Sequence, residues 1–283
     1  MTTTDTIETP DYTNSYLGDQ HVGQLERLRT LEHAFDPLSQ KVFDHLDLPD
    51  KPAILDLGAG AGSLARWLTR RYPDATVTAT DIDTRYLIDI PGIQVVTHNV
   101  VIDNFPAASF DVVHARALLC HLTEREAILT RAASWVRPGG WLVIEDVSLT
   151  PSLRTSNPLF RKVAQAGISL LEQSMGSDMF WADTLPVRLR DRGLSNIGHR
   201  TLEGQIGDNS PADTFWAATT AQAGPALLKL GLVSQNDLDA MNHLRADPAF
   251  TAAALTLVSA WGQVPELGCK GIAPPLHTKG NEE

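Results

Sequence analysis

The sequence predicts an α/β protein: a doubly wound, mostly parallel seven-stranded sheet, with lid helices before it and a helical cap inserted after strand 5 and strand 6. Two observations predict it. Short apolar runs alternate with helical stretches along the first half of the chain, as crossover-connected parallel strands require. The first run ends in a glycine-rich turn that opens a helix, and in such sheets ligands sit at the carboxyl ends of the strands.

Residues 1–15 are rich in Thr, Asp and Pro and are expected to be disordered. Across 16–50, the expected lid, apolar residues recur at helical spacing from Leu25 through Leu31, Phe35, Leu38 and Val42 to Leu46, and Asp36-Pro37 is expected to break this run into two helices. Ala53 to Leu57 is the first strand. Gly58-Ala59-Gly60-Ala61-Gly62 follows, and Ser63 opens a helix running to about Arg71. Thr76 to Thr80 is the second strand, ending in Asp81; Ile93 to Val96 is the third and Phe110 to His114 the fourth. Thr123 opens a helix with Glu126 as its capping-box partner, Pro138-Gly139-Gly140 stops it, and Trp141 to Glu145 is the fifth strand.

After Asp146 the rhythm changes. Asn157 to Met175 reads as an added helix and Met179 to Arg192 as a crossover helix ended by Gly193. Ile197 to Ile206 is a strand, and Pro211 to Ala246 is a second helical insertion with Ser234 and Asp237 as a capping box. Phe250 to Trp261 holds the last strand. The insertions, 151–183 and 207–248, fall where they roof the strand ends. A single domain over 16–265 accounts for the length without a linker, and 271–283 reads as a flexible tail.

Composition narrows the function classes. A hydrophobic fraction of 43% excludes bulk disorder. The net charge of −11 argues against a nucleic-acid backbone or an anionic membrane surface as main partner. No apolar run approaches the ~18–20 residues of a membrane helix, and the N-terminus lacks a signal-peptide layout. The two cysteines, Cys120 and Cys269, form no CxxC pattern, so a reducing, cytoplasmic setting is expected. A homodimer is compatible with the sequence.

The turn after the first strand narrows the ligand. Glycines let a backbone approach a nucleotide closely, and Asp81, roughly 20 residues on, stands where an acid binds both ribose hydroxyls. The dinucleotide fingerprint wants a third small residue where Ser63 stands, and the P-loop lysine is absent. The run is instead Asp56-x-Gly58-x-Gly60-x-Gly62. It resembles motif I of class I S-adenosylmethionine-dependent methyltransferases, and the resemblance covers about Pro52 to Asp146. Thr80-Asp81-Ile82-Asp83 looks like the second-strand motif, which implies Asp81 on the ribose and Ile82 against adenine. His98-Asn99-Val100 falls where the family has an acid touching the adenine amine; Asn99 departs from it, with an amide able to make that contact. Phe110 to Arg116 resembles the segment lining the methionine moiety, which puts His114 on the cofactor. Asp111 would lie away from the crevice. Tyr16-Leu17-Gly18 and Leu25-Glu26-Arg27-Leu28 look like the lid of ubiquinone-biosynthesis-type and natural-product methyltransferases, which implies Arg27 on the cofactor carboxylate. The implied cofactor set is Arg27, Asp56, Gly58, Ala59, Gly60, Asp81, Ile82, Asn99, Val100 and His114. The implied product is S-adenosylhomocysteine.

Methyl transfer is an in-line displacement, and a base is needed only for a nucleophile whose proton has a high pKa. His121 and Asp146, beyond the fourth and fifth strands, are the candidate catalytic residues, and His243 is a third base candidate. Glu145-Asp146 lacks the third carboxylate a hard cation would want, so no metal is expected. Met175, Met179, Phe180, Trp181, Phe215, Trp216 and Met241 supply material for an apolar pocket around an aromatic or polyketide-like acceptor. The resemblance thus implies O-methylation of a small secondary metabolite. N- or C-methylation, peptide methylation, and cofactor binding without transfer remain alternatives.

Overall fold

The computed structural model describes residues 23–88 and 90–266; Tyr16-Leu17-Gly18, Cys269 and both terminal segments assigned above lie outside them. Seven strands form one sheet: β1 (Ala53–Leu57), β2 (Thr76–Asp81), β3 (Ile93–Thr97), β4 (Phe110–Arg116), β5 (Val136–Ser148), β6 (Ser195–Ile206) and β7 (Ala252–Gln263). Their order is β3-β2-β1-β4-β5-β7-β6. The pairs from β3 to β5 are parallel, while β7 runs antiparallel between β5 and β6.

Successive strand residues face opposite ways, so each parallel strand must be apolar on both sides. Ile54, Val77, Val112 and Val143 pack under α2 (Ser63–Arg71) and the end of α1 (Gln24–Phe43). Leu55, Leu57, Val113, Leu142 and Ile144 pack under α3 (Arg125–Trp135) and the short helix Leu185–Asp191. A third cluster joins the middle of α1 to α4 (Thr150–Arg154), α5 (Pro158–Met175) and, past the short helix α6 (Leu185–Asp191), to α7 (Pro211–Lys229), α8 (Gln235–Ala246) and β7.

Three local expectations are corrected. α1 is one helix running through Pro37. Phe35, Leu38, Val42 and Phe43 share its buried face, and their packing outweighs the ~3 kcal/mol an interior proline costs. The Thr123–Glu126 capping box does not form: α3 starts at Arg125, Thr123 donates to Glu124, and Glu126 instead accepts from Arg188 and Arg192. The span Met179 to Arg192 is not one helix but a 3-10 turn at Trp181–Thr184 followed by α6. The Ser234–Asp237 box is present at the start of α8, whose Asp237 also receives Lys162 of α5 at 2.8 Å.

Candidate active site

The carboxyl ends of β1, β2 and β4, with α1, α5 and α7 above them, enclose a cavity of about 810 Å³. That is toward the upper end of the ~300–1,000 Å³ of ligand pockets. At its floor, Gly58 and Gly60 hold φ of +63° and +57°, a region that costs a side chain strain. A Cβ on Gly58 would also come within 3.1 Å of Leu118.

Two amide groups of this turn are already paired within the protein. Ala59 N–H donates to Thr80 O at 2.8 Å and Gly60 N–H to Asp81 Oδ2 at 2.9 Å. At the start of α2, Ser63 N–H donates to Glu32 Oε1 at 3.0 Å and Ser63 Oγ to Asp36 Oδ1 at 2.9 Å. Two acids of α1 therefore occupy the helix start where a pyrophosphate would bind. Burial raises the Glu32 carboxyl above its ordinary pKa, against the Ser63 hydrogen bond. The site fits a nucleoside that carries no phosphate.

Around the floor stand Asp81, Ile82, Asn99 and Val100. Asn99 Oδ1 accepts from Val101 N–H at 3.0 Å, and the same oxygen keeps a lone pair. Arg27 is 5% exposed and lines the opposite wall. Its Nε donates to Gln24 Oε1 at 3.0 Å, and among the described residues no carboxylate pairs with it. Beside it, Gln24 Nε2 is buried and has no partner among the described residues. A buried cation with a neutral partner is a place for an anionic group.

Asp56, His114 and Glu145 share the sheet face under α1. His114 Nδ1 meets Asp56 Oδ1 at 2.7 Å and Nε2 meets Glu145 Oε2 at 3.1 Å. Burial pulls the imidazole pKa down, but the two carboxylates overcome it and raise it to about 9, so His114 is an imidazolium. Ser39 donates to the same Glu145 oxygen, Arg116 donates to Ser39 Oγ at 2.9 Å and to Asp36 Oδ1 at 2.8 Å, and the chain of contacts ends at Ser63. It ties β1, β4 and β5 to α1 and to the start of α2. His114 touches the cavity only as part of this wall.

His121 lies on a 3-10 turn after β4, half-buried against the cavity, with Nδ1 3.1 Å from Ser177 Oγ. Burial, with Arg27 and Arg125 nearby, lowers its pKa to about 4, so it is neutral at pH 7. Asp146 is placed otherwise than expected. It does not line the cavity; it points to the other sheet face and accepts from Leu118 N–H (3.1 Å), Cys120 N–H (3.1 Å) and Trp181 Nε1 (3.0 Å). It pins the loop that carries His121. Burial raises its pKa to about 7 against those hydrogen bonds. As neighbours on one strand, Glu145 and Asp146 face opposite ways and cannot meet on one ion. His243 is on exposed α8 with Nδ1 2.7 Å from Asp239 O, outside the cavity. Asp111 lies at the far end of β4, accepting from Ala53 N–H and Arg137. Of the cap residues, Met175, Met179, Phe215 and Trp216 line the cavity, whereas Trp181 and Met241 are core and Phe180 is exposed.

Sequence reading missed Gln24, Glu32, Ser39 and Ser177, and gave Arg116 no role of its own. Alternation along β4 and β5 signals part of this: His114, Arg116 and Glu145 fall on one face, Asp146 on the other.

Residues 25–199 match the methyltransferase domain family. The chain is 32% identical over 197 residues to methyltransferase str2 of Strobilurus tenacellus, covering 68% of this chain and 71% of that one. It is 34% identical over 179 residues to 27-O-demethylrifamycin SV methyltransferase of Amycolatopsis mediterranei, covering 58% and 62%. The solved structure of the YcgJ protein from Bacillus subtilis shares the fold, with a TM-score of 0.54 at 14% identity over 81% of this chain and 98% of that one. The chain belongs to the methyltransferase domain family, as a class I S-adenosylmethionine-dependent enzyme with the family's seven-stranded fold.

Proposed function

We propose that the protein methylates an oxygen of a small-molecule secondary metabolite in a reducing, cytoplasmic setting, leaving S-adenosylhomocysteine. The observation that carries this reading is a cavity that runs unbroken from the glycine turn and Asp81 to the apolar faces of α5 and α7. S-adenosylmethionine supplies a methyl carbon already activated by its sulfonium. The chain has to hold, align and desolvate the two partners. Asp81 would hold the ribose, Ile82 and Val100 the adenine ring, and Asn99 its amine. Gly58 and Gly60 admit close backbone approach, with Asp56 and Ala59 completing the turn, and Arg27 would hold the carboxylate. α5 and α7 form the acceptor cap. His121, held deprotonated by its low pKa, receives the hydroxyl proton as that proton becomes acidic during carbon–oxygen bond formation.

A relative named for 27-O-demethylrifamycin SV supports an oxygen acceptor of natural-product type. Among the described residues no helix is long and apolar enough to cross a membrane. The test is incubation with methyl-labelled S-adenosylmethionine and host extract. Label in a low-mass fraction, on a methyl ether, supports the reading. Label on nitrogen or carbon, on protein, or on no acceptor despite cofactor binding refutes it.

A further inference from the structure

We infer that the acceptor is an uncharged, chiefly apolar molecule, and that Gly167 is the residue that makes room for it. The inference rests on the proposed methyl transfer for placing the acceptor at this end of the cavity.

The two ends of the cavity differ in charge. The lining Asp, Glu and Arg side chains (Arg27, Glu32, Asp56, Asp81, Arg116 and Glu124) all come from α1, the strand ends and their loops. The lining from α5 and α7 carries none; it presents Val163, Leu171, Phe215, Trp216 and Leu227. With Arg27 given to the cofactor carboxylate, a phosphate, carboxylate or ammonium group pushed between these helices would lose its water and find no counter-charge on α5 or α7, which costs far more than an apolar group would. One polar request remains there: among the described residues, the buried Thr219 Oγ1 has no hydrogen-bond partner. One hydroxyl or carbonyl on the acceptor answers it.

Gly167 stands in the interior of α5 and lines the same space. A glycine there costs about 0.5–1 kcal/mol relative to alanine. Neither backbone nor packing requires it. Its φ is not among the positive ones, and an added Cβ meets no atom within 4 Å. The glycines the fold does need are different: a Cβ on Gly198 would run into the Trp261 ring, and one on Gly204 would lie 2.7 Å from Ala212. What the missing side chain at position 167 leaves open is cavity, and a bulky apolar ligand uses it.

The test titrates wild type and Gly167→Leu with S-adenosylhomocysteine by calorimetry and, with that product bound, with the uncharged dye Nile red by fluorescence. Gly167→Leu is expected to bind the product within about twofold of wild type and to melt no lower, because leucine favours the helix. Nile red is expected to saturate one site on wild type and to bind Gly167→Leu at least about tenfold more weakly, as filling an apolar pocket by a few carbons does. Millimolar phosphocholine should not displace the dye. Gly167→Ala gives a smaller loss of the same sign and keeps the test open if the leucine variant does not fold. Equal dye binding by wild type and variants, no saturable binding to wild type, or displacement by phosphocholine overturns the inference and leaves methyl transfer standing. Failure of wild type to bind S-adenosylhomocysteine overturns instead the reading on which it rests.

Discussion

Replacing His114 by Asn tests the buried charge network directly. Asp56 is 3% exposed and Glu145 fully buried, and the imidazolium between them is the cation that both contact. Removing one member of a buried ion pair leaves an uncompensated charge and costs about 3–5 kcal/mol, so His114→Asn should lose that much stability at pH 7. The pH dependence supplies an independent measure. A pKa raised from 6.5 to about 9 corresponds to about 3 kcal/mol of native-state stability. Because the shift is upward, this contribution is complete below about pH 6.5 and is lost as the pH rises through about 9. Urea denaturation of wild type and His114→Asn from about pH 6 to pH 10 reads both quantities. The stability gap should narrow by about 3 kcal/mol at the alkaline end. A gap that stays constant across that range would refute an imidazolium at this position.

Three further outcomes follow from the site. Asp81→Ala should weaken S-adenosylhomocysteine binding roughly 10²-fold by calorimetry, the worth of a charged hydrogen-bonding partner, and unchanged affinity would remove Asp81 from the ribose. His121→Ala should lower turnover roughly 10²-fold with product affinity intact. With a wild-type imidazole pKa of about 4, turnover should show no acid limb from His121 between about pH 6 and 8. Asp146→Asn replaces one acceptor oxygen by a donor facing N–H groups and should cost about 2–3 kcal/mol by thermal denaturation. Since burial raises Asp146 to about 7, wild type should lose stability as the pH climbs from about 4 through 7, and the Asn variant should lack that slope.

The half of the fold that was legible in the sequence is the half made of buried parallel strands. Runs such as Ile54-Leu55 and Val112-Val113 are apolar on both faces, and nothing but a covered sheet accommodates them. The glycine turn and Asp81 were legible because an unusual backbone and an acid at a strand end leave a local signature. Contacts set by distant partners were not. Pro37 reads as a helix breaker until Phe35 and Phe43 are seen to bury on one face. Glu126 reads as a cap until Arg188 of α6 and Arg192 just beyond its end arrive. Asp146 reads as a candidate catalytic residue on position alone, although strict alternation puts it on the face away from His114 and leaves Glu145 as the one beside it.

β7 bears on how the molecule is made. The strand nearest the end of the described chain is an interior one, in register with β5 along Trp141 to Ser148 and with β6 along Ser195 to Ile206. Until β7 is made, β6 has no strand to pair with, and α7, which packs on β6 and walls the acceptor end, lacks that footing. The cofactor half, β1 to β5, is by then already synthesised. A chain broken off before residue 252 would keep the glycine turn and the residues of α5 and α7, yet leave β6 unpaired beneath the wall that α7 forms.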